Sequence, residues 1–323
     1  VKSAPAHTDR SIGLAIFGSI QILVGLGCAA LIPLSFVAQS LGNVAGVATN
    51  DVRSALPAMV VYAALAAAFV WLGIGSIKAR RWARELSLSL AWVWFLTGVC
   101  SLIFAWLLLP SALLTLAGGG GFSREVAVLV TAATTAVLSF FYVLLPLAFL
   151  GFYRSPNVAA TCRARGPSRQ WTDDLPQRLV TLTVVWVLAA VSVLLMPAYR
   201  FVAPFFGVVL DGSAGAVVWS VVLIGCVALA WGSVRRDLWA WRGAMIAVIL
   251  AGLSTVVTSL RVDTGTIVQA MDLPDDQAAL LTSVLMPDRW LVVLFWIVAW
   301  GSFLVYLASL RRDFAARTAV SDG

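Results

Sequence analysis

The residues that most often carry chemistry are few and scattered in this sequence. The single histidine, His7, lies in a polar N-terminal stretch. One terminal histidine cannot assemble a His-based metal site or a Ser-His-Asp triad. The four cysteines, Cys28, Cys100, Cys162 and Cys226, form no CxxC pair. Three lie in apolar runs, where a thiol behaves as a small hydrophobe. Cys162 stands in a basic segment, where a eukaryotic cell could palmitoylate it, a host that the arginine-rich composition disfavours. Ionisable side chains at membrane depth mark proton relays and ion paths. None falls in the middle of an apolar run here.

Hydroxyls do occur inside those runs. Thr131, Thr135 and Ser139 recur at i, i+4 and i+8 and share one helix face, with Thr134 at its edge. This stripe is a candidate cavity lining; its other reading is a small-residue helix contact with hydrogen bonds. Gln21, Thr97, Ser254, Thr255 and Thr258 are further polar residues inside apolar runs. The acids Asp263, Asp272, Asp275, Asp276 and Asp288 gather in one connection, 262–288. They lack the glycine and terminal glutamate of a calcium loop. A solvated acidic loop is expected, with a short surface helix over 272–286. No catalytic residue, metal ligand or cofactor is expected, and the chain reads as no enzyme.

The second candidate set is basic and aromatic. Arg80, Arg81, Trp82 and Arg84 lie in one loop, and Arg235, Arg236 and Trp239 in another. Tryptophan suits the headgroup layer, and arginine reaches lipid phosphates or an acidic partner.

The elements that position these residues follow from composition. Of 323 residues, 61% are hydrophobic and 11% charged, and mean hydropathy is +0.96. Ordinary soluble chains carry about 25% charged residues, so lipid must solvate this one. The class is all-α, a polytopic helical membrane protein. Barrels would need apolar–polar alternation, which is absent. Eight apolar segments reach the length a bilayer requires: 11–38, 55–77, 86–109, 126–153, 178–199, 214–234, 243–261 and 289–310. The first is too long for a signal-peptide core of about 7–15 residues, so no cleavable signal is expected. With the N-terminus inside, inner loops hold 17 Lys and Arg against 5 outside, while acids split 7 and 8. The net charge of +7 therefore records a positive-inside bias rather than a nucleic-acid surface. The expected location is the plasma (inner) membrane, multi-pass, with both termini cytoplasmic. Arginine outnumbers lysine 20 to 2, as in high-GC bacterial chains.

An internal repeat is written in the basic loops. Gly75-Ser-Ile-Lys-Ala-Arg-Arg-Trp-Ala-Arg-Glu85 aligns without a gap with Gly232-Ser-Val-Arg-Arg-Asp-Leu-Trp-Ala-Trp-Arg242, at a shift of 157. Leu31-Ile32-Pro33 and Leu195-Met196-Pro197 also correspond. Two four-helix units are expected, 1–155 and 178–323, joined by a basic cytoplasmic linker, 156–177. An even helix number gives both the same orientation, so the repeats are parallel.

Arg-Arg-Trp-Ala-Arg at 80–84 and Phe-Tyr-Arg-Ser-Pro-Asn-Val at 152–158 are similar to segments of uncharacterised bacterial multi-helix membrane proteins. The resemblance covers about 12 residues and implies a membrane location but no activity. The loop also resembles the basic helix 2–3 loop of major-facilitator transporters. It departs from that pattern in lacking the acid after Gly75 and the glycine before the basic pair, and the expected helix count is eight rather than twelve, so the chain is not placed in that family. The expected function is a non-catalytic membrane module binding lipid, a partner protein or a second copy. The alternative is a transporter or channel for a neutral or apolar small molecule.

Overall fold

A computed structural model describes residues 8–44, 52–118, 124–166, 170–273, 278 and 289–315. The described residues are overwhelmingly helical. Among the described residues, seven helices are long and apolar enough to cross a membrane. This supports an all-α, multi-pass membrane protein.

The helices follow the apolar runs closely. α1 covers Ser11–Val44, α2 Val52–Ile77 and α3 Arg81–Gly118. α4 (Arg124–Ser139) continues through a π-helical turn, Phe140–Leu144, into α5 (Leu145–Tyr153). Pro146 explains that turn. It has no N–H for the carbonyl of Tyr142, four residues back, so the regular ladder cannot close there. The freed carbonyl points at Gly98, where a Cβ would lie only 2.2 Å from it.

Segment 156–177 is largely folded rather than a plain linker. α6 spans Pro156–Arg165, with Pro156 in its first turn, and a 3-10 turn spans Trp171–Asp174. Asp173 and Asp174 therefore close that turn and do not begin the next helix. α7, Gln177–Val193, starts after Pro176. Its 17 residues rise about 25 Å, short of a bilayer core of about 30 Å. The expected span 178–199 ends early because Pro197 stops it: a 3-10 turn runs over Met196–Tyr199.

A hairpin follows that the apolar pattern did not suggest. β1 (Ala203–Phe205) pairs antiparallel with β2 (Val208–Leu210), Phe205 opposite Val208. Both turn residues have positive φ, 46° at Phe206 and 88° at Gly207, as a two-residue hairpin turn requires. α8 (Gly212–Arg235), α9 (Leu238–Arg261), α10 (Thr264–Ala270), α11 (Arg289–Ser309) and α12 (Arg311–Ala315) complete the chain. The helix expected over 272–286 falls mostly outside the described residues.

The chain divides into two compact units: residues 1–99 with 140–181, and residues 100–139 with 182–323. In the first, α1 and α2 touch backbone to backbone. A Cβ on Gly18 would lie 2.8 Å from the Gly73 carbonyl, and one on Gly25 2.9 Å from that of Ala66. Helices without a water-driven hydrophobic force between them pack through such small residues. Leu14, Phe149, Leu150, Tyr153 and Val158 form the buried core at one end of this unit. In the second unit, Ser254 and Thr258 of α9 hold the hairpin. Their hydroxyls accept the N–H groups of Phe206 and Gly207, each at 3.0 Å. Arg200 pairs with Asp272 at 3.0 Å, and Arg289 pairs with Asp263.

Candidate functional site

The two basic loops fold alike. In each, the incoming helix ends on a left-handed residue, Ala79 (φ 50°) or Arg236 (φ 59°), 157 positions apart. Arg80 N–H donates to Gly75 O and Ala79 N–H to Ser76 O, both at 2.9 Å. Asp237 N–H donates to Gly232 O at 3.0 Å and Arg236 N–H to Ser233 O at 3.2 Å. This is one paired C-terminal cap, made twice. The glycine is required in both. A Cβ on Gly75 would lie 2.7 Å from that of Ala83, and one on Gly232 2.4 Å from that of Ala240. The Trp82 and Trp239 ring edges close over the same glycines.

Side chains at the two loops then diverge. In the second unit, Arg235 lies over the Trp231 ring, 4.5 Å from its centroid. Arg236 Nε and an Nη donate to Asp313 O at 3.1 and 2.9 Å. Trp239 is exposed and donates to Asp237 at 3.2 Å. Trp241 Nε1 donates to Leu307 O at 2.9 Å, tying α9 to α11.

In the first unit the loop faces a chamber. Arg80 is exposed, and Trp82 stacks on Trp71 with ring centroids 4.2 Å apart. Arg81 and Arg84 turn inward instead. Arg81 pairs with Asp173 at 3.1 Å and donates to Arg163 O at 3.2 Å. Arg84 pairs with Glu85, and its Nε donates to Tyr153 O at 3.0 Å, capping α5. These groups border a cavity of about 470 Å³, together with Arg163, Thr172 and Gln177. Gln177 Nε2 donates to Glu85 O at 3.0 Å and Ser89 Oγ at 2.8 Å, which fixes the amide's orientation. Among the described residues, three buried polar atoms of its lining side chains have no partner: Arg81 Nε, Thr172 Oγ1 and Gln177 Oε1.

A second polar cluster lies in the same unit. Gln21, Ser76, Ser87 and Tyr153 are buried. Gln21 Nε2 donates to Ser87 Oγ at 2.9 Å, and Ser76 Oγ shares a short hydrogen bond with Tyr153 Oη. Every buried hydroxyl or amide needs such a partner at membrane depth.

Cys162 is not available for acylation in this fold. It is 1% exposed on α6, and burial pushes its thiol up to about 11, although Arg84 opposes the shift. At the start of the chain, the Ser11 backbone N–H holds the Asp9 carboxyl below its ordinary value. Arg165 pairs with it at 3.0 Å.

The hydroxyl stripe sits elsewhere. Thr131, Thr135 and Ser139 are half-buried on α4, and Ser139 donates back to Thr135 O at 2.7 Å. That bond satisfies the hydroxyl within its own helix. The structure thus groups Arg81 and Arg84 with each other and with acids of the following segment. It leaves Arg80, of the same loop, outside that group.

Sequence reasoning missed Glu85, Thr172, Asp173 and Gln177 as wall residues. The only signal was the acidic pair 173–174 amid basic residues, which suggests partners for nearby arginines. No protein-family model, curated protein or solved structure matches the chain.

Proposed function

We propose that this chain is a non-catalytic membrane module that holds a lipid or protein partner at its basic face. In this reading α7 is the eighth span, the two four-helix units arose by duplication, and the basic face is cytoplasmic. The observation that carries it is the chamber at the ends of α3 and α5. Its buried atoms on Arg81, Thr172 and Gln177 have hydrogen bonds still to make. Those helices reach their apolar limits there, at Arg81 and Tyr153, so the chamber belongs at headgroup level. Its acids, Glu85 and Asp173, are each engaged by arginine, which suits charge partners better than proton carriers.

The duplication is supported by the doubled loop cap, and also by burial. Leu72, Ser76 and Ala83 are buried, and so are Leu229, Ser233 and Ala240, each 157 positions on. The second reading, passage of a neutral small molecule, draws on the hydroxyls of the half-buried face of α4. The Ser139 back-bond weighs against it.

The test is purification of the full chain in mild detergent from its native cell, with mass spectrometry of all that co-elutes. A stoichiometric protein or a retained lipid is expected. A solitary, lipid-free chain that carries a neutral solute across reconstituted vesicles would replace this reading with transport.

A further inference from the structure

We infer that the chamber of the first unit is a headgroup site for a monoanionic phosphodiester that also carries a hydroxyl, the chemistry of a phosphatidylglycerol-type lipid. The inference rests on the module reading and names the ligand class for its chamber.

Charge comes first. Three arginines, Arg81, Arg84 and Arg163, face two carboxylates, Glu85 and Asp173. Arg81–Asp173 and Arg84–Glu85 are paired. Among the described lining residues Arg163 is exposed and belongs to neither pair, so these side chains carry one more positive charge than negative. A single phosphodiester charge matches it, and arginine binds phosphate oxygens through two parallel N–H groups. The first turn of α3 supplies Arg81 and Arg84, so the positive end of that helix dipole adds to the attraction.

The unpartnered atoms specify more than charge. Thr172 is 1% exposed, and its hydroxyl can donate to a phosphate oxygen. Arg81 Nε–H is a second unused donor. Gln177 Oε1 is the reverse, an acceptor only, because both of its amide's nitrogen contacts are donations to acceptors. A phosphodiester with no N–H or O–H of its own would leave it unsatisfied. A ligand bearing a hydroxyl beside its phosphate satisfies all three. A choline headgroup has no N–H or O–H to offer it. The volume, about 470 Å³, lies within the usual range for small-ligand sites, roughly 300–1,000 Å³.

The experiment is native mass spectrometry of the full chain in neutral detergent, titrated with phosphatidylglycerol or phosphatidylcholine. The water-soluble deacylated headgroup, glycerophosphoglycerol, forms a third arm. Phosphatidylglycerol should bind at least tenfold tighter than phosphatidylcholine. Arg163→Gln should remove most of that preference, since its exposed side chain changes no packing. Thr172→Val should lower phosphatidylglycerol binding about tenfold with the Tm checked alongside. Arg80→Gln, an exposed arginine of the same loop outside the chamber, should leave it unchanged. Glycerophosphoglycerol binding as tightly as the lipid would keep the chemistry and assign a soluble phosphodiester as its source. Equal binding of both lipids, or equal losses from Arg80→Gln and Arg163→Gln, overturns the inference. With a stoichiometric protein still co-eluting, that result removes the headgroup and leaves the module reading standing. With nothing co-eluting, both fall.

Discussion

The loops at 75–85 and 232–242 share a backbone and differ in what they do with it. Both end a helix on a left-handed residue, clamp a glycine under tryptophan and bury the following alanine. On that common frame, position 81 is arginine and its counterpart 238 is leucine; 84 is arginine and 241 is tryptophan; 85 is glutamate and 242 is arginine. The first loop therefore borders a charged chamber, while the second ties α9 to α11 through an indole. Backbone constraint here resides in Gly, Trp and Ala, and chemistry in the positions between them. The comparison separates what a turn needs from what a site needs.

The sharpest way to break it is at the glycines. Gly75→Ala and Gly232→Ala should each cost about 1–3 kcal/mol by overpacking, read as thermal unfolding in detergent. Adding Ala83→Gly to the first, or Ala240→Gly to the second, should recover part of the loss. If only one loop responds, the two clamps are not equivalent. Next in size is the polar cluster. Tyr153→Phe leaves Ser76 and Gln21 short of a buried partner, a loss of about 1–3 kcal/mol. The position corresponding to Tyr153 is Leu310, so Ser76→Ala should cost more than Ser233→Ala. Equal costs would place the distinction elsewhere.

Smaller effects come from titration. Cys162 stays a thiol until about pH 11 against an ordinary value of 9.0. At pH 8 only about one Cys162 in a thousand is thiolate, so alkylation should be slow until the protein unfolds. The same shift stabilises the fold fully below pH 9, fades as pH rises, and is gone above about 11. Rapid modification at pH 8 would mean that α6 does not stay packed. Least of all, Asp9→Asn should lower the Tm only slightly at neutral pH, and this difference from wild type should vanish in acid. The wild-type contribution is present above the ordinary carboxylate value, 3.8, and disappears as pH falls below it.

The spans were legible because lipid demands about twenty apolar residues and leaves loops basic or acidic. Seven of the eight runs appear as long helices. The eighth shortens at Pro197, whose position near the end of an apolar run concealed how early it acts. The cap was legible because Gly75, Trp82 and Ala83 repeat at fixed spacing. The chamber was not, because its wall joins residues about ninety positions apart, as Arg81 to Asp173 and Glu85 to Gln177. A polar residue at the edge of an apolar run looks the same whether it faces water, lipid or an acid from a later helix. The hairpin escaped notice because three-residue strands carry no alternation to detect.

That hairpin also sets an order of events during synthesis. The amides of Phe206 and Gly207 donate their hydrogen bonds to hydroxyls 48 and 51 residues later in the chain. At about 5–20 residues per second, the ribosome delivers Ser254 and Thr258 roughly 2–10 s after the turn that needs them. Until then the turn must keep water. The hairpin end of the second unit is thus a part that sets late, closing only once α9 has been made.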